Sequence, residues 1–275
     1  ADEAIGWAVP KGFPSTSYMA AVPWIIKVLE VTPEAAADFY RAAIESGAGE
    51  SEKATRIRAI ANLLKGADRD QQCFADLDGG VFFEDTLRNE RAFPLKGPGQ
   101  RERLLEALAG LCKQADDKPS PFYALLLMDG DGMGPLLSKY HDKQAEISQA
   151  LAAFTAQVPG IVRDHNGRLI YAGGDDVFAL MPSDQALASA AACRQAYNAS
   201  FNENASFVHG TEATISTAIE YAHIHTPLGT VVRDAHRLLD EVAKERTGRD
   251  AVACRVWKRG GPILTWALPW EKVLA

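Results

Sequence analysis

No two of the four cysteines, Cys73, Cys112, Cys193 and Cys254, form a C-x-x-C pair. That spacing excludes a zinc knuckle and a disulfide framework, and it fits a reducing cytoplasm. No apolar run reaches the roughly 18 residues needed to cross a bilayer, and no basic-then-apolar leader precedes the first motifs, so no membrane partner is expected. No repeat of 20 to 50 residues is present. A surplus of positive charge is missing too: the net charge is −7 and the isoelectric point is near 5.4. A broad basic surface that displaces phosphate counterions is therefore excluded, and contacts with nucleic acid must be local or supplied by partners. There is also no initiating methionine, which suggests that the sequence is a piece of a longer protein.

What the chain has is 275 residues at 47% apolar content, enough to bury the cores of two domains. The polar, proline-bearing stretch Lys113 to Pro121 reads as a linker, dividing a mostly helical region, 1–119, from a second domain, 120–275. In the first region Thr32-Pro33 predicts a helix start, with Phe39, Tyr40, Ala43 and Ile44 as its apolar face. Asp78-Gly79-Gly80 between the apolar runs of Phe74 to Phe83 predicts a small hairpin.

In the second region the hydrophobic period alternates more sharply. Phe122 to Met128 is a continuous apolar run, as expected of a buried strand. Ile147, Leu151, Phe154 and Val158 mark a helix, and two short strands, Leu169–Tyr171 and Val177–Met181, flank A-G-G-D-D as a tight hairpin. Ser183 is placed to cap a helix running to about Phe201. Thr214 to Ile224 reads as a strand, Thr226-Pro227 as the start of a third helix with a stripe from Leu228 to Val242, and Ala251 to Trp257 as a closing strand. The order β-α-β-β-α-β followed by α-β predicts an α+β, ferredoxin-like domain, its helices on one sheet face.

That topology brings together two acidic turns, Asp129-Gly130-Asp131-Gly132-Met133-Gly134 and Gly173-Gly174-Asp175-Asp176. Hard divalent cations such as Mg²⁺ or Mn²⁺ take oxygen ligands and commonly only a few protein carboxylates. A pair of such ions about 4 Å apart can activate an attacking hydroxyl and stabilise a leaving pyrophosphate. Gly130, Gly132 and Gly134 would let backbone N–H groups approach a triphosphate, and Gly173 and Gly174 would allow a turn with positive φ. Either turn alone reads as an ordinary surface loop. Together, each at a strand end, they read as a site.

The stretch L-L-L-M-D-G-D-G-M-G-P-L-L-S, with G-R-L-I-Y-A-G-G-D-D-V-F-A-L-M-P, closely resembles the large polymerase-like subunit of type III CRISPR effector complexes, in its Cmr-type branch. G-F-P-S-T-S-Y-M-A-A-V-P-W, from Gly12 to Trp24, looks like the same family's region between its two palms. The resemblance implies synthesis of cyclic oligoadenylates from ATP when the complex binds target RNA, the 3′-hydroxyl of one ATP attacking the α-phosphate of another. It makes Asp129, Asp175 and Asp176 the metal ligands, with Asp131 as a further candidate, and Asp175 and Asp176 catalytic. Gly130, Gly132, Met133, Gly134, Gly173 and Gly174 would line the substrate. Ala243-Lys244 and Gly248-Arg249 resemble the A-K-x-x-G-R pattern of related cyclases, where the lysine contacts the triphosphate. Lys244 and Arg249 become substrate contacts; the plain alternative for Lys244 is a solvated lysine at a helix C-terminus. Implied partners are the other effector subunits, with crRNA and target RNA reached through the complex. Full members carry two palms, so half of the two-nucleotide site would come from elsewhere.

Other features carry less. His141-Asp142 spells the dipeptide of HD phosphohydrolases without the further His and Asp ligands such a site needs, and His223 and His225 read as a sheet-surface pair. Tyr18, Trp24, Trp257, Trp266 and Trp270 could stack bases but fit core or interface positions better. The terminal I-L-T-W-A-L-P-W is apolar for a tail, suggesting an interface or a cut edge. Two other functions remain open: a non-catalytic scaffold subunit, and a diguanylate-cyclase-like enzyme, against which G-G-D-D in place of G-G-D/E-E-F speaks.

Overall fold

The computed structural model describes residues 13–49, 57–95, 97, 99–210 and 212–274. Gly12, the first residue of the inter-palm stretch, lies outside them. The chain divides into two units, Ala1–Pro121 and Phe122–Ala275.

In the first unit Ser15 accepts the Tyr18 N–H and caps α1 (Thr16–Val31), satisfying one of the free donors at a helix start. Then come α2 (Pro33–Glu45), α3 (Arg58–Leu63), α4 (Arg69–Ala75), α5 (Glu84–Arg88) and α6 (Gln100–Gln114). Pro33 begins α2 as expected, but Ile44 is exposed while Phe39 and Ala43 are buried. The core is aromatic: Phe74 meets Phe82 at a ring separation of 5.4 Å and Phe39 at 6.1 Å.

The expected hairpin at Phe74–Phe83 is absent. That stretch is the end of α4 and a 3₁₀ turn, Gly79–Phe82. Its double glycine answers a different need, because a Cβ on Gly79 would stand 2.3 Å from the backbone nitrogen of Tyr18. The glycine lets the 3₁₀ turn lie directly on α1.

The second unit runs β1 (Phe122–Asp131), α7 (Met133–Lys139), α8 (Gln144–Asp164), β2 (Arg168–Gly173), β3 (Asp176–Pro182), α9 (Ala186–Asn204), β4 (Thr214–His223), α10 (Leu228–Arg237), a π-helical segment Leu238–Arg246, β5 (Ala251–Lys258), β6 (Gly261–Pro269) and α11 (Trp270–Val273). The six strands order as β2-β3-β1-β4-β5-β6. β1 is antiparallel to both β3 and β4, and β4 is parallel to β5. The first four strands thus have the ferredoxin-like arrangement, in an α+β unit. β1 sits centrally and is buried on both faces, which is why its sequence is an unbroken apolar run.

Three local expectations change. α9 starts at Ala186 behind Gln185, not at Ser183, because the Gln185 N–H first closes a turn on the Pro182 carbonyl. The apolar terminal stretch is a sixth strand, antiparallel to β5, with Ile263 and Leu264 more than half exposed at 57% and 55%. The helices occupy both sheet faces rather than one. Ile147, Phe154 and Tyr197 of α8 and α9 share a core with Leu126, Ile219 and Cys254. The next residue along β4, Glu220, points the other way, toward Asp234 of α10, since strand side chains alternate.

Candidate metal and nucleotide centre

Asp129 lies two residues before the end of β1, and one further step of the β1–β3 register sets Asp176 across from it, on the sheet face that α10 and the π-helical segment cover. Asp175 comes from the two-residue turn between β2 and β3, where Gly174 alone takes positive φ, at +63°. A glycine first in a two-residue turn suits the twist of a hairpin. Oxygens of Asp129, Asp175 and Asp176 lie within 4.8 Å of one another, making these three the one such group among the described residues. Gly130 makes this approach possible: a Cβ there would sit 2.5 Å from an Asp175 carboxylate oxygen.

Three carboxylates so close repel one another. Burial, and then hydrogen bonding and repulsion from Asp129, push the Asp176 carboxyl up to about 6; burial and the Asp129 charge also raise Asp175. Lys244 opposes this by pairing with Asp129, with Asp240 3.9 Å away. Its ammonium shows that a cation is accepted there, and an all-oxygen set of clustered carboxylates is the donor chemistry of hard divalent ions. Lys244 sits in the π-helical segment, a rare geometry that recurs at functional sites. It is largely buried, so the reading of a solvated lysine fails.

Asp131 is not part of the cluster. Its carboxylate accepts from Thr214 Oγ1 at 2.9 Å, Ser216 Oγ at 2.8 Å and the Asp250 N–H at 3.0 Å. A buried carboxylate with three donors is already satisfied, and its work is to tie β1 to β4 and to the start of β5. Arg194 completes this girder with a bidentate pair to Asp250, both bonds 2.7 Å. Sequence reading missed Arg194 and Asp250, because Arg194 lies 56 residues from its partner and no local pattern joins them.

The other expected substrate residues separate by position. Gly132, at φ +69°, forms the left-handed entry to α7. Arg249, at φ +70°, lines with Gly132, Asp131, Lys139 and Gly248 an open pocket of about 520 Å³, whose lining includes none of the three clustered carboxylates. Met133 packs its side chain on the core, so only its backbone could serve a ligand. A Cβ on Gly134 would meet nothing, and one on Gly173 would collide with Tyr171; Gly173 therefore serves close packing rather than positive φ.

The remaining candidates stay apart from the centre. His141 and Asp142 form a 3₁₀ turn and join no such carboxylate or histidine cluster among the described residues. His223 ends β4 and accepts from the His225 N–H. Tyr18, Trp24 and Trp270 are buried, Trp257 donates to Asp234 and Trp266 packs partly buried on the core. Behind the centre, Arg255 and Trp257 both donate to Asp234. Fully buried Glu220 is left with no donor on either oxygen, and burial followed by the Asp234 charge pushes it up to about 9.

A ferredoxin-like sheet with three carboxylates at the end of β1 and in the β2–β3 turn defines a palm domain. Residues 122–253 match the family described as Cas10/Cmr2, second palm domain. The CRISPR system Cmr subunit Cmr2 of Pyrococcus furiosus is 35% identical over 230 residues, covering 72% of this chain and 26% of that protein. A chain of the type III-B Cmr-beta structure, determined by cryo-EM in the apo state, has the same fold with a TM-score of 0.57 at 15% identity, over 94% of this chain and 36% of that one. The chain belongs to the Cas10/Cmr2 family of type III CRISPR effector proteins through this palm, and spans about a quarter of the length of the Pyrococcus relative. No helix among the described residues is long and apolar enough to cross a membrane.

Proposed function

We propose that this chain is the palm region of an ATP-using oligoadenylate cyclase subunit, working in the cytoplasm within a type III effector complex on binding of target RNA. The observation that carries the reading is the convergence of Asp129, Asp175 and Asp176 within 4.8 Å, with Lys244 paired to the first.

Asp129, Asp175 and Asp176 would hold Mg²⁺ or Mn²⁺. A bound ion of this kind neutralises phosphate charge and acidifies a coordinated hydroxyl. The chain's own groups do the positioning. Gly130 lets Asp175 close on Asp129, Asp131 anchors the β1 end to β4, and Lys244 provides a fixed cation that can turn from Asp129 to a triphosphate. Arg249 and Gly132 line the pocket in which phosphates would lie. A second palm would supply the other nucleotide, so the chain alone binds ATP without cyclising it.

The test is the assembled complex with target RNA, Mg²⁺ and ATP, compared with its Asp175→Ala/Asp176→Ala variant. Oligoadenylate formed by the parent and not by the variant is expected. Equal product from both would leave the scaffold reading, and product from GTP instead of ATP would favour a diguanylate-cyclase-like enzyme.

A further inference from the structure

The three carboxylates of the centre are not held in the same way. Asp129 and Asp176 are strand residues, and the β1–β3 register sets them across from each other on the face under α10. Asp175 belongs to the β2–β3 turn and comes in from the opposite face. A Cβ on Gly130 would meet its carboxylate at 2.5 Å, and Gly130 pairs with Ile215, a residue of the core shared with α8 and α9. Residues paired across two strands face the same way. β2 is moreover the edge strand of the sheet, so no further strand steadies the turn from outside.

The helix α8 does so instead. Thr155 Oγ1 donates to the Gly174 carbonyl oxygen at 3.0 Å. That oxygen belongs to the peptide unit joining Gly174 to Asp175. A peptide unit is planar, so fixing its oxygen fixes the plane from which Asp175 departs. Gly174, at φ +63°, has no side chain to resist rotation, and the hold must come from elsewhere.

The Thr155 hydroxyl is also 2.8 Å from the Leu151 carbonyl, four residues back in its own helix, the usual acceptor for a threonine in a helix. One hydroxyl has one proton, so helix and turn share it. A second hydroxyl on this side, that of Tyr197 in α9, leaves the turn alone. Burial, and after it the Asp175 charge, push it up, yet it is fully buried without a hydrogen-bond partner.

We propose that Thr155 is a positioning residue of the metal centre: through the Gly174 carbonyl its hydroxyl sets the angle at which Asp175 closes on Asp129. This deepens the metal reading given above and rests on it. Thr155 acts through the turn and not on the ion.

The test separates the hydroxyl from the shape of the side chain. Mn²⁺ binding to the full chain is measured by titration calorimetry, and stability by urea denaturation, for the parent, Thr155→Val, Thr155→Ser and Asp175→Ala/Asp176→Ala. Thr155→Val keeps the branched shape without the donor and should weaken Mn²⁺ about tenfold, the lower end of the range for outer partners of metal ligands, at an unchanged urea midpoint. Thr155→Ser keeps the donor and should bind like the parent. The double aspartate variant should lose the ion. Mn²⁺ bound by Thr155→Val as by the parent, or weakened equally by valine and serine, would overturn the positioning role and leave the metal reading intact. A loss in Thr155→Val that comes with a lowered urea midpoint would make Thr155 a packing residue and overturn it too. A parent chain that binds no Mn²⁺, or a double aspartate variant that binds it undiminished, would remove the metal reading and the proposal with it.

Discussion

Gly130 is a residue whose side chain is specified by its absence. Its Cβ would press on Asp175 from 2.5 Å, and the neighbour cannot yield without leaving the cluster. Gly130→Ala should therefore cost about 10- to 100-fold in Mn²⁺ affinity, the usual range for changes that misorient metal ligands, as read by titration calorimetry. The carboxylates also set a pH dependence. Asp176, raised to about 6, is protonated more often than an ordinary carboxylate, and a metal ion must displace that proton. Mn²⁺ affinity should rise as pH is taken from 5 to 7 and level off above. A flat profile across that window would show that Asp176 is not a ligand. Legibility differs residue by residue: Asp129, Asp175 and Asp176 stand out because each lies at a strand end in a glycine-rich turn. Asp131 has the same look, and only its three donors reveal it as a girder.

At the scale of elements, α10 and the π-helical segment are held on the sheet at the cost of burying Glu220. Its folded value of about 9 lies above the ordinary 4.5, so the native state keeps a proton that the unfolded chain releases. The linkage sign follows: stability is full below pH 4.5 and declines as pH rises toward 9. Glu220→Gln, which keeps the shape and removes the titration, should stabilise the protein on the order of 2 kcal/mol near pH 8. It should change little near pH 4.5, as followed by urea denaturation at both values. The order from β1 to β5 is legible from hydrophobic pattern because β1 is an unbroken apolar run and α8 buries a regular stripe, whereas β6 read only as an apolar tail. The Gly79-Gly80 pair was misleading, since a double glycine signals a turn as readily as a close approach. Telling the two apart requires Tyr18, about 60 residues away in sequence, to be seen against it.

At the scale of the whole molecule, the net charge of −7 argues that RNA is reached through partners. The isolated chain should bind a single-stranded RNA oligonucleotide no more tightly than about 10⁻⁴ M at physiological salt, the weak end of non-specific binding, in a fluorescence anisotropy titration. Tighter binding that falls steeply with salt would place a local basic contact on this chain.

The sequence by itself determined the α+β palm and the three carboxylates, because hydrophobic period and glycine-flanked acidic turns are local signals. Only the tertiary structure decided that helices cover both faces, that Asp131 is satisfied internally, and that Lys244 is paired with Asp129. Sheet register and side-chain pairing decide these outcomes, and they join residues as far apart as Asp129 and Lys244, 115 positions along the chain.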